Sequence, residues 1–61
     1  MNTREREKER REFEAWGRRE CNWTDEDFIG RGEDLDFAYL DDYVDTMWCG
    51  WAARAATRES A

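Results

Sequence analysis

The fold is decided by residues 44–55, which read VDTMWCGWAARA. Large apolar side chains recur there at spacings of three and four residues, which is the period of one face of an α-helix. Asp41 or Asp42 can cap such a helix at the positive end of its dipole, and Tyr43 extends the stripe by one turn. The pattern predicts a helix over residues 42–56. Its apolar face comprises Val44, Met47, Trp48, Trp51 and Ala55.

A second helix is predicted upstream, from Thr3 to about Glu20. This segment is dense in Glu and Arg, which are good helix formers, and pairs such as Glu14 with Arg18 lie four residues apart. Because its first turns carry no apolar stripe, residues 1–12 are predicted to form a projecting or frayed helical arm. Gly17 lies inside the helix and indicates either a close approach by another element or an early helix end.

The connection between the helices begins with two local signals. Thr24 and Asp27 have the spacing of a capping box, and Trp23 and Phe28 occupy the two positions of a hydrophobic staple. Together they predict a short helical turn over residues 25–29. Further along, residues 35–39 alternate as an edge strand does, yet they also fit a helical turn, so this part is predicted to be irregular or a short strand.

These elements predict a mainly α fold. It is a small helical hairpin with an acidic irregular connection, which holds a short strand or a helical turn. We expect one domain over residues 1–61, with the charged arm at 1–12, the folded part at 13–56 and a tail at 57–61. The aromatic residues that serve as scaffold or interface are Phe13, Trp16, Trp23, Trp48 and Trp51.

Length and composition restrict the function. A chain of 61 residues is too short for a second domain or a deep cleft. Charged residues make up 43% of it and mean hydropathy is -1.19, but nine aromatic residues supply a core. Without histidine, most catalytic constellations lack their parts. We therefore expect no enzymatic activity, no catalytic residues and no cofactor.

Metal sites are also not expected. A calcium loop starting at Asp25 would place Asp36 at position twelve, but Ile29 falls on position five, where an oxygen ligand is needed. Cys21 and Cys49 are too few to complete a zinc site, and reduced thiols are the simpler interpretation. No apolar run approaches the roughly 20 residues of a membrane span, and the first residues do not resemble a signal peptide. We expect a cytoplasmic protein.

The net charge of -6 is concentrated in one stretch. Residues 20–45 contain ten acidic side chains and one basic side chain, whereas the two flanks are close to neutral. Such a surface repels nucleic acid and membranes and attracts basic protein surfaces. The stretch is either a solubilising loop or a partner-binding surface. The residues predicted to bind a partner are Asp25, Glu26, Asp27, Glu33, Asp34, Asp36, Asp41, Asp42 and Asp45.

Two segments resemble a pattern in small uncharacterised proteins of tailed bacteriophages. They are Phe13-Glu14-Ala15-Trp16 and the run from Tyr43 to Arg54, which contains Trp48-Cys49-Gly50-Trp51. This resemblance implies a phage origin. In size and acidity the chain also resembles phage inhibitors of host machinery, such as anti-CRISPR proteins.

Two functions follow as hypotheses. In the first, the protein is a phage-encoded, non-enzymatic inhibitor in the host cytoplasm. Its acidic surface mimics DNA and blocks a host protein with a basic nucleic-acid-binding surface, with a defence complex as the first candidate, and it binds neither nucleic acid nor membrane itself. In the second, it is a small helical homo-oligomer, at least a homodimer, that works in phage structure or assembly through the tryptophan stripe.

Overall fold

The computed structural model describes residues 2–60, and the side chains of all of these except Asp34, Glu59 and Ser60. Two long helices and a structured connection form the chain, which confirms the predicted mainly α hairpin. The helices are α1, Thr3–Glu20, and α2, Asp42–Ser60. Between them lie 3₁₀ turns at Asp25–Phe28 and Asp34–Asp36 and an antiparallel pair of strands, β1 at Gly30–Arg31 and β2 at Ala38–Tyr39.

The end of α1 sets the path of the connection. The carbonyl of Gly17 accepts hydrogen bonds from the backbone N–H groups of Cys21 at 2.9 Å and Trp23 at 3.2 Å. Between them Asn22 has a φ of 57°, the left-handed conformation that asparagine tolerates better than most residues. This turn folds the Trp23 ring over Gly17, where a Cβ atom would overlap it. The predicted close approach at Gly17 is confirmed, and the helix continues to Glu20.

The local signals in the connection form as predicted. The Asp27 carboxylate accepts a hydrogen bond from the Thr24 backbone N–H at 2.8 Å, and the rings of Trp23 and Phe28 lie 5.9 Å apart. The ambiguous segment 35–39 contains both predicted features, since a 3₁₀ turn is followed by β2.

The start of α2 is capped by Asp41. Its carboxylate accepts hydrogen bonds from the backbone N–H groups of Tyr43 at 2.9 Å and Val44 at 3.1 Å. The helix continues to Ser60, past the predicted end at residue 56, so residues 57–60 of the segment described as a tail are helical. No glycine or proline interrupts this end, and the Thr57 hydroxyl donates to the Ala53 carbonyl at 3.0 Å.

The core is centred on Phe13, which is fully buried. Its ring lies 5.6 Å from that of Trp48 and 5.5 Å from that of Trp51, so α1 and α2 pack against each other through these aromatic rings. The stripe prediction was wrong for Tyr43, which is 67% exposed, and partly wrong for Met47, at 37%. These two lie at the edge of the face that α1 covers. The buried hydrophobic residues are Phe13, Tyr39, Val44, Trp48 and Ala55.

The arm predicted over residues 1–12 does not project along its whole length. Glu9 accepts hydrogen bonds from the Trp51 indole N–H at 3.0 Å and from the Arg58 guanidinium at 3.2 Å. The Arg10 guanidinium lies 4.1 Å from the centre of the Phe37 ring. A projecting arm was predicted because the first turns of α1 carry no apolar stripe. Charged side chains can nevertheless pack on aromatic residues, over the π face of a ring or at its polar N–H group.

The predicted pair of Glu14 with Arg18 is replaced by tertiary contacts. Glu14 accepts a hydrogen bond from the Tyr39 hydroxyl at 2.8 Å. Arg18 pairs with Asp25 at 2.5 Å and lies over the Phe28 ring. Both side chains therefore attach the connection to α1, which local helix spacing does not reveal.

Tyr39 makes stability sensitive to alkaline pH. Burial, and then the hydrogen bond to Glu14 and its negative charge, raise the pKa of Tyr39 well above the ordinary tyrosine value. In the unfolded chain Tyr39 loses its proton near pH 10, whereas in the folded protein it keeps the proton. The contribution of protonated Tyr39 to the free energy of unfolding is therefore complete below pH 10 and is lost as pH rises further.

We therefore expect the free energy of unfolding to fall by about 1.4 kcal/mol per pH unit above about pH 10. Urea unfolding between pH 8 and 11.5 measures this. The Tyr39→Phe variant should lose this part of the slope, whereas Tyr43→Phe, which removes a hydroxyl from an exposed side chain, should keep it. An identical slope in wild type and Tyr39→Phe would contradict the assignment.

Candidate functional site

The structure divides the nine predicted partner-binding carboxylates by what they contact. Three support the fold by accepting hydrogen bonds from backbone N–H groups. Asp27 binds Thr24, Asp41 caps α2, and Asp45 accepts from the Tyr39 N–H at 3.0 Å. These oxygens are already occupied, so these residues are poor candidates for partner contact.

Four other carboxylates have no such role. Glu26, Glu33, Asp36 and Asp42 are exposed, and their side chains accept no hydrogen bond from the described residues. Asp25 is intermediate in kind: it pairs with Arg18, but its side chain is 90% exposed. Exposed ion pairs are worth little, so Arg18 does not prevent Asp25 from contacting a partner. The side chain of Asp34 lies outside the described part of the chain. We call Asp25, Glu26, Glu33, Asp36 and Asp42 the open acidic set.

The turn between the two strands holds part of this set in a defined backbone. Gly32 has a φ of 89°, and an added Cβ would overlap the Asp36 carbonyl, so only glycine fits there. The Asp36 backbone N–H donates to the Glu33 carbonyl at 2.9 Å. Glu33 and Asp36 are therefore presented from one tight turn.

Exposed apolar side chains accompany these carboxylates. Leu35, at the turn between Glu33 and Asp36, is 78% exposed, and Ile29 and Leu40 are each more than half exposed. Sequence reasoning did not select them, because neither the alternation at residues 35–39 nor a helical turn there indicates which apolar side chains stay exposed. Their exposure gives the acidic surface apolar groups suited to contact with a partner.

The five aromatic residues predicted to serve as scaffold or interface lie mainly in or against the core. Trp48 and Phe13 are buried, while Trp16, Trp23 and Trp51 are partly buried and pack against them. A partner cannot reach Trp48 in this structure. The open face of α2 lies instead around Gly50.

A shallow groove of about 580 Å³ runs beside that face. Both helices contribute to it, with apolar groups along most of its length and two guanidinium groups at one end. Its lining is Phe13, Trp16, Thr46, Met47, Gly50, Trp51, Arg54 and Arg58. These side chains suit an apolar or acidic ligand group rather than a basic one.

Among the described residues 2–60, no group of three or more metal-ligating side chains is gathered closely enough to hold an ion. Cys21 and Cys49 are both free thiols. Among these described residues, no helix has the length and apolar character needed to cross a bilayer.

Comparison with known proteins gives no assignment. No protein-family model, curated protein or solved structure matches the chain.

Proposed function

We propose that this protein is a non-enzymatic inhibitor that binds a basic, nucleic-acid-binding surface of another protein. The observation that carries the proposal is the open acidic set: exposed carboxylates that the fold does not use, placed on a segment with ten acidic residues and one basic residue. Carboxylates without a role in folding are free to pair with Arg and Lys of a partner.

The ordered backbone that carries the open acidic set favours a role in binding over a purely solubilising role. The connection is fixed at several points, because Asp27 caps its first turn and Asp45 and Glu14 bind Tyr39 in β2. A charged surface on an ordered backbone loses less conformational entropy on binding than a flexible acidic loop does. Preorganised negative charge can therefore replace DNA phosphates in a basic groove and release the counterions bound there.

The exposed leucines add a second kind of contact. Leu35 lies between two carboxylates, so a partner that pairs with Glu33 and Asp36 also covers an apolar side chain. Apolar burial strengthens a complex whose charges mainly steer association. We infer an interface with an acidic rim and apolar contacts at the turn.

The target class comes from the sequence resemblance. If the chain is phage-encoded, the basic surface would belong to a host nucleic-acid-binding complex, with a defence complex as the first candidate. The inhibitor would then act in the host cytoplasm and bind neither nucleic acid nor membrane directly. It would inhibit by occupying the basic groove of the partner protein, without catalysing a reaction.

The test is affinity capture from a bacterial host lysate at low and high salt, followed by identification of the retained proteins. We expect a nucleic-acid-binding complex that is lost as salt rises and is competed by added DNA. For the identified target, the variant Glu26→Gln, Glu33→Gln, Asp36→Asn, Asp42→Asn should bind about 100-fold more weakly while its circular dichroism stays unchanged.

A matched pair of double variants separates position from net charge. Glu33→Gln with Asp36→Asn changes the open set, whereas Glu7→Gln with Glu12→Gln removes the same charge from exposed sites on α1. The first should weaken binding about tenfold and the second less than twofold. Equal effects from the two variants would show that net charge alone matters and would overturn the proposed interface.

A further inference from the structure

We propose that the shallow groove lined by α1 and α2 binds a small molecule that joins a flat apolar ring system to a single carboxylate. We call this groove the interhelical groove. Its volume, about 580 Å³, lies within the roughly 300–1,000 Å³ that is common for small-molecule sites. The proposal does not rest on the inhibitor function, because the interhelical groove shares no residue with the open acidic set.

The walls of the interhelical groove define the apolar part of the ligand. Trp16 from α1 and Trp51 from α2 are each partly buried, and their ring centres lie 5.8 Å apart. The Trp51 indole N–H already donates to Glu9 at 3.0 Å, so Trp51 offers the groove its apolar ring surface. Met47 adds a flexible side chain that is 37% exposed, and thioethers adapt well to aromatic rings. A flat apolar body can therefore pack against these three side chains.

The end of the groove that holds Arg54 and Arg58 carries one uncompensated positive charge. Arg58 donates to Glu9 at 3.2 Å, so these two charges offset each other. Arg54 is exposed and forms no hydrogen bond or ion pair with the described residues. No side chain in the lining is acidic, and residues 46–58 of the sequence contain these two arginines and no acidic residue. The groove therefore has a local positive charge in a chain whose net charge is -6.

This charge selects a monoanionic ligand. A carboxylate can accept two parallel hydrogen bonds from the planar guanidinium of Arg54, and such charge-assisted pairs are stronger than neutral hydrogen bonds. A cationic ligand would meet two guanidinium groups and a Glu9 carboxylate that already accepts two hydrogen bonds. A second copy would bring a further net charge of -6 to a contact with one positive charge to spare. A small molecule with one carboxylate fits the groove without that repulsion.

Two-dimensional ¹H–¹⁵N NMR with 2-naphthoate as the probe tests the proposal at single side chains. We expect the indole N–H signals of Trp16 and Trp51 and the Nε–H signal of Arg54 to shift with one dissociation constant of about 1 mM or below. The indole signal of Trp48, which lies in the core, should move least. The matched probe 2-naphthylmethylammonium carries the same ring with a positive charge and should bind at least about tenfold more weakly.

A pair of arginine variants separates the site from net charge. Arg54→Gln should weaken 2-naphthoate binding about tenfold and leave the melting temperature unchanged, because Arg54 forms no polar contact with the described part of the fold. Arg54→Lys keeps the charge but not the planar fork, and should weaken binding about threefold. The matched control is Arg4→Gln, which removes the same charge from an exposed site on α1 outside the groove and should change binding less than twofold.

Four outcomes would overturn this site. They are the absence of saturable shifts at the groove signals up to about 10 mM 2-naphthoate, equal binding of the cationic probe, equal weakening by Arg54→Gln and Arg4→Gln, and groove signals that shift with protein concentration alone. The last result would show that a second copy covers the groove. The double variant Glu33→Gln with Asp36→Asn should bind 2-naphthoate as wild type does, so a failure of the proposed inhibitor interface leaves this test unaffected.

Discussion

Replacing Phe13 with alanine is expected to unfold the protein. Phe13 is fully buried, and its ring lies within 6.4 Å of aromatic rings from α1, the connection and α2. Removing a buried phenylalanine side chain destabilises by about 3–5 kcal/mol. A domain of this size has a total stability of only about 3–9 kcal/mol, so most or all of it would be lost.

Thermal unfolding followed by circular dichroism and tryptophan fluorescence measures this effect. We expect Phe13→Ala to lack a cooperative transition above about 25 °C and Phe13→Leu to retain a weakened one. Leu35→Ala is the matched control, since it shortens an apolar side chain that is 78% exposed and should leave the transition within about 0.5 kcal/mol of wild type. A cooperative, near-native transition for Phe13→Ala would show that the core is not organised around this ring.

The second large effect is expected at Gly17. In Gly17→Val the new side chain would overlap the Trp23 ring and crowd Phe28. Overpacking of this kind destabilises by about 1–3 kcal/mol and sometimes more, and we expect about 3 kcal/mol here because the overlap begins at Cβ. Moving Trp23 aside would also disturb the staple with Phe28 that starts the connection.

The contrast with Gly50 makes the result specific. Gly17→Ala should destabilise, since the gain in helix propensity is smaller than the packing loss, whereas Gly50→Ala should stabilise the monomer by about 0.5–1 kcal/mol. Urea unfolding of both variants at low protein concentration gives the two values. If Gly17→Ala were as stable as Gly50→Ala, the Trp23 ring would not be held over α1 as described.

These stability effects bear on the proposed interface. Trp23 and Phe28 position the turn from which Asp25 and Glu26 project, so a loss of packing at Gly17 would displace part of the open acidic set. The carboxylates substituted in the binding tests are exposed, and their side chains accept no hydrogen bond within the described part of the fold. Their effects can be separated from unfolding by circular dichroism alone.

Much of the local structure was predictable. The helical period of residues 44–55, the staple of Trp23 with Phe28 and the close approach at Gly17 each depend on residues near in sequence or on a glycine that helices disfavour. The segment that carries the candidate site could also be located, because acidic and basic residues can be counted along the sequence. The division into structural and open carboxylates was not predictable, since only the folded arrangement brings the Tyr39 N–H to the Asp45 carboxylate while Asp42 stays exposed.

The two helices, the acidic connection and the residue types available for the core can all be read from the amino-acid sequence. These follow from interactions within a few residues, where side-chain spacing and backbone preference act directly. Packing between the elements, in contrast, sets the contact of Glu9 with Trp51, the burial of Trp48 beside a partly exposed Met47, and the choice of carboxylates that stay open. Those outcomes depend on where α1 and the connection contact α2, and the periodicity of either helix is compatible with more than one such arrangement.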